Sequence, residues 1–223
     1  MTNIQRYDGR WRYRSSGTWP AKVLVSALAV GAGFGAATSL VNALSHSYAD
    51  LESRAYTTSG WSIAEIISVL LDSGWAWAGL AVAVGWLVTR ARVSRPAALA
   101  QGGAVAGVLA LLAATAAYGV VDAIRSGGEF AWYESESPVW WVASVVFGAP
   151  LGAVGACVRR PGAIGLLARL TVPVGAALQM VVLPPGRNEV VETIGKTVVW
   201  TAAAASIGFI VVRFLVKRRR PDS

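Results

Sequence analysis

A single cysteine, Cys157, and a single histidine, His46, leave this 223-residue chain almost without the side chains that cross-link a fold or hold a metal. One cysteine cannot close an intramolecular disulfide, and one histidine gives no basis for a His-cluster zinc site. Charge is scarce too: 14% of residues are charged, whereas soluble domains carry about 25%. The chain also lacks a Walker loop, a paired-histidine zincin motif, a nucleophile elbow and an aspartate-rich diphosphate motif. No metal and no cofactor are therefore expected.

What is present is apolar. Hydrophobic residues make up 55% of the chain and the mean hydropathy is +0.52, the composition of a membrane protein. Six apolar segments fall near 21–45, 75–89, 97–122, 139–158, 162–183 and 195–216. The first is too long for a signal-peptide core and follows a polar tail, so it reads as a retained span. The fold expected is an all-α integral membrane bundle of six transmembrane helices, with basic tails at 1–20 and 217–223.

Net charge is +8, and its distribution follows the spans. Arg6, Arg10, Arg12, Arg14 and Lys22 precede or open the first span. Arg90, Arg92 and Arg95 join the second to the third, and Arg159 and Arg160 the fourth to the fifth. Lys217, Arg218, Arg219 and Arg220 close the chain. The alternate loops hold ten of the twelve carboxylates. The positive-inside rule then places both termini in the cytoplasm. The tail Arg10-Trp11-Arg12-Tyr13-Arg14 reads as an anchor on anionic lipid, since topology already accounts for its charge. Membrane lipids are thus expected partners, with another membrane protein or a second copy of the chain, and no nucleic acid.

Three tryptophans are each followed twenty residues later by Arg-Pro: Trp75 by Arg95-Pro96, Trp140 by Arg160-Pro161, and Trp200 by Arg220-Pro221. Twenty helical residues rise about 30 Å, the depth of the hydrocarbon core. Pro20, Pro96 and Pro161 open the outward helices, and successive units begin at intervals of 76, 65 and 60 residues. Two readings fit: bilayer thickness alone imposes the spacing, or three αα-hairpin repeats surround an axis along the membrane normal. The repeat would bring His46, Asp122 and Arg187 to one outer level.

The loop between the first two spans contains Ser62-Ile63-Ala64-Glu65, a capping-box pattern. It predicts a helix over 63–72 with Glu65, Ser68 and Asp72 on a polar face, lying externally on the membrane. The alternative is one unbroken span starting at residue 63. Gly31-x-x-x-Gly35, Gly103-x-x-x-Gly107 and Gly148-x-x-x-Gly152 predict close helix packing.

Polar residues inside the spans are the candidate sites. Gln101, Thr115, Tyr118 and Asp122 share an arc of the third span, and Thr38, Ser39, Asn42 and His46 cluster in the first. Interhelical hydrogen bonding is one role for them, and an outward-opening cleft with Asp122 and His46 at its mouth is another. Pro150 and Pro173 interrupt two spans. Arg169 lies two turns inside the fifth, where it either snorkels to headgroups or forms an anion or lipid-phosphate site. Asn42, Gln101, Thr115, Tyr118, Arg169 and Gln179 are the candidate substrate-binding residues.

Phe147-Gly148-Ala149-Pro150-Leu151-Gly152, continuing to Arg159-Arg160-Pro161-Gly162, resembles a group of small multi-pass membrane proteins of high-GC bacteria. The resemblance covers the third to fifth spans. It implies a bacterial plasma-membrane location and carries no activity. The functions open to such a chain are a small-solute or lipid permease, an accessory subunit, or an embedded acid/base enzyme. As an enzyme it would be a metal-independent isoprenoid cyclase, with Asp122 as proton donor and His46 as its partner.

Overall fold

The computed structural model describes residues 18–51, 62–88, 96–127, 137–184 and 189–219. Seven α-helices run through them: α1 Thr18–Leu51, α2 Ile63–Leu71, α3 Gly74–Val88, α4 Pro96–Ser126, α5 Ser137–Cys157, α6 Gly162–Val182 and α7 Glu189–Arg219. The chain is an all-α membrane bundle. Five helices are each long and apolar enough to cross a bilayer, and α2 with α3 forms a sixth candidate bent by 59°.

Small residues decide the packing. α4 is the central helix, with α1, α3 and α5 around it. A Cβ added at Gly31 would lie 2.1 Å from the Ala110 carbonyl oxygen, and one at Gly35 would lie 1.9 Å from that of Ala114. α1 and α4 therefore run parallel in backbone contact. Gly103 and Gly107 meet Gly152 and Gly148 in the antiparallel α4–α5 pair, as the two motifs predict. Gly85 of α3 joins them on Gly152. Close approach supplies dispersion contacts that lipid tails cannot match. Ala27, Leu80, Ala81, Val84, Ala106, Ala110, Leu111 and Ala114 fill this centre, and Phe34 meets Trp77 edge-on at 5.5 Å.

α6 and α7 form a separate hairpin that reaches the centre mainly through α3, while α2 touches α7. Ala176, Met180 and Val199 make its core, with Leu70 and Trp75 packed against them. The three hairpins are thus packed differently: α1 lies along α4, whereas α6 pairs with α7. Spacing from the leading prolines explains the asymmetry. Gly31 and Gly107 occupy one register position, and the larger Val172 occupies it in α6. The Trp-to-Arg-Pro spacing remains a property of the sequence. Of the expected ring, Arg187 and the His46 side chain lie outside the described residues.

Helix boundaries depart from the sequence reading mostly at the charged ends. α7 starts at Glu189, six residues before the expected 195: Glu189 and Glu192 sit in its first turn, where the helix dipole favours carboxylates, and Lys196 pairs with Glu192 at 2.5 Å. The break after α2 falls at Asp72-Ser73. There the Asp72 N–H still donates to the Ser68 carbonyl, and a new helix restarts at Gly74.

Candidate functional site

The capping-box helix forms as predicted, with the Ser62 hydroxyl accepting from the Glu65 N–H at 3.1 Å. It packs onto the bundle through Ser68 and Val69. Ile63 is 70% exposed and Ile67 43%, whereas Ser68 is fully buried. Exposed isoleucines suit a helix lying on the membrane and a broken span alike. Ser68 has a polar partner on α1.

That partner is Asn42. Its carbonyl oxygen Oδ1 accepts from the Ser68 hydroxyl. Its Nδ2 donates to Asp72 Oδ2 at 3.1 Å and to the Tyr118 hydroxyl at 3.1 Å. One amide thereby ties α1 to both α2 and α4. Asn42 is buried, while Asp72 sits exposed at the end of α2. One turn deeper on α1, the Thr38 hydroxyl returns to the Phe34 carbonyl at 2.9 Å, and the buried Ser39 hydroxyl has no partner among the described residues. The junction carries one carboxylate, and among the described residues no three His, Cys, Asp or Glu side chains gather as a metal site.

A second junction fixes the break. The first turn of α3 has amides without partners inside their own helix, and the Trp75 N–H donates to Gln179 Oε1 of α6 at 2.7 Å. The Ser73 hydroxyl closes on the Leu70 carbonyl at 2.6 Å. Gln179, expected as a substrate ligand, therefore caps α3 across the bundle.

The remaining candidates scatter. Thr115 pairs with Ser144 at 3.1 Å on the α4–α5 side, whereas the Tyr118 hydroxyl accepts from Asn42 of α1. Gln101 is exposed. Asp122 is exposed as well, 3.5 Å from Arg125 on its own helix, and the His46 side chain expected beside it lies outside the described residues. An arc of about 100° is wide enough to face α1, α5 and the outside in turn along roughly six helical turns. Arg169 lies toward the opposite end, where its Nε donates to the Val158 carbonyl at 2.9 Å. Pro150 is exposed on α5.

Sequence reasoning grouped Ser68 and Asp72 on one face without naming Asn42 as their partner, and it passed over Ser144. The signal available was pairing need: an apolar span carrying Asn42 requires donors and acceptors nearby, and the flanking α2 offers them. Protein-family models, curated proteins and solved structures were all compared with the chain, and none of them matches it.

Proposed function

We propose that the protein is an accessory subunit of a plasma-membrane assembly, with both termini cytoplasmic, that docks a partner transmembrane helix on α7. The observation carrying this reading is the exposure of α7. Only 11% of its most apolar stretch is buried, against 22–28% for the other long spans. Its inward stripe is Val191, Gly195, Val199 and Ala203, and its outward face is Thr197, Thr201, Ala204 and Gly208. Nothing lies within 4 Å of a Cβ added at Gly208. Small residues on an outward face admit another helix backbone more closely than they pack lipid tails. The glycine contacts among α1, α3, α4 and α5 support the same reading, because backbones in contact leave no solute route between them.

Single cysteines at Thr201, Gly208 and Val105, each in a Cys157→Ser chain and labelled with a benzophenone maleimide, test the proposal by photo-cross-linking in native membranes. Adducts at 201 and 208 but not at 105 are expected, since Val105 is exposed on a different helix. An adduct of twice the chain's mass identifies a second copy as the occupant. Equal adducts at all three positions, or none at 201 and 208, overturn the reading. A permease reading keeps one observation, the exposed Asp72 carboxylate held by Asn42. It would be favoured by a solute flux that Asp72→Asn abolishes while the cross-links persist.

A further inference from the structure

All the described carboxylates lie toward one end of the bundle: Glu65 and Asp72 on α2, Asp122 at the end of α4, and Glu189 and Glu192 at the start of α7. Both described ion pairs are at that end. Toward the opposite end, the α5–α6 turn holds Arg159 and Arg160, and Arg169 reaches back to it.

The turn is tightly built. The Val158 N–H donates to the Gly155 carbonyl at 3.1 Å and the Arg160 N–H to the Cys157 carbonyl at 2.9 Å. Gly162 takes a φ of +75°, which a side chain would strain. A Cβ added at Gly165 would lie 1.8 Å from the Arg160 carbonyl oxygen, so the first turn of α6 is seated on this loop.

Arg169 begins seven residues into α6, about 10 Å along the helix from its start. Its side chain folds back so that Nε meets the Val158 carbonyl, one peptide from Arg159. That bond uses one of five guanidinium donors. Among the described residues Arg169 has no carboxylate partner, and it is half-buried in an apolar span. Donors at this depth need an acceptor, and a planar guanidinium fixed at one nitrogen presents its two terminal nitrogens to a tetrahedral oxyanion.

We infer that the α5–α6 turn is a binding site for the phosphate of an anionic membrane lipid, with Arg169 as the oriented donor and Arg159 as the exposed second charge. This site is separate from the outward face of α7 and does not depend on the accessory role.

The test is native mass spectrometry of the full chain in detergent, titrated with phosphatidylglycerol, phosphatidylcholine or inorganic phosphate. Phosphatidylglycerol is expected to remain bound and phosphatidylcholine to be lost. Arg169→Gln and Arg159→Gln should each weaken retention about fivefold, the effect of one basic residue at a lipid surface. Arg159→Gln leaves the Arg169–Val158 bond in place, so it decides the question even if Arg169→Gln fails to fold. Arg213→Gln, an exposed arginine stacked on Phe209 at 5.9 Å, should stay within twofold of the parent. Three outcomes overturn the inference: unchanged retention in Arg159→Gln, an equal loss in Arg213→Gln, or full displacement of the lipid by millimolar inorganic phosphate.

Discussion

Asn42 satisfies three hydrogen-bonding groups on two other helices, so its replacement reads out the whole junction. Interhelical hydrogen bonds in membranes average about 0.6 kcal/mol each, and Asn42→Leu is expected to cost about 2 kcal/mol. Reversible unfolding in mixed micelles measures it. Asp122→Asn should change stability by less than about 0.5 kcal/mol, because its carboxylate is exposed and pairs only along its own helix. The two substitutions separate what could be read at this scale from what could not. Asn42, Tyr118 and Gln179 stood out because polar atoms inside apolar spans need partners. Which partners they take is set by tertiary approach, and no spacing within one helix encodes it. Asp122 stood out for the same reason and turned out to lie beyond the packed region.

Glycines separate the helices that must touch from those that need not. Gly152→Val should prevent accumulation of the folded protein, since the new Cβ would lie 2.1 Å from the Gly103 carbonyl oxygen. Gly33→Ala and Gly175→Ala meet open space and should raise stability by up to about 1 kcal/mol through helix propensity. Thermal denaturation of the three variants in one detergent makes the comparison. The small-residue motifs on α1, α4 and α5 were legible because four-residue spacing places both glycines on one face. The partner of α2 was not legible. Its periodicity defines a polar and an apolar face, and the same pattern suits water or a polar helix beside Ser68. The approach of Asn42 buries Ser68 and leaves Asp72 exposed at the end of α2. Gln179→Leu should loosen the α2–α3 break, leaving the Trp75 N–H without its acceptor at a cost of about 1–3 kcal/mol. Faster amide exchange confined to the first turn of α3 is the signature.

For the molecule as a whole, charge segregation gives the orientation proposed above. Alkaline phosphatase fused after residue 127 should be active, and fusions at either terminus inactive. The reverse pattern would invert the bundle. The parallel contact between α1 and α4 has a further consequence during synthesis. α4 and α5 pack as neighbours in sequence, but the chief partner of α1 is completed only at Ser126, 75 residues after Leu51. At about 5–20 residues per second, α1 waits roughly 4 to 15 seconds in the bilayer with Gly31 and Gly35 uncovered. A nascent chain stalled before α4 therefore displays an unmated glycine seam, the kind of surface a membrane protease or insertase can recognise. Chains truncated after α3 should be cleared faster than chains truncated after α5, which a pulse-chase experiment compares directly.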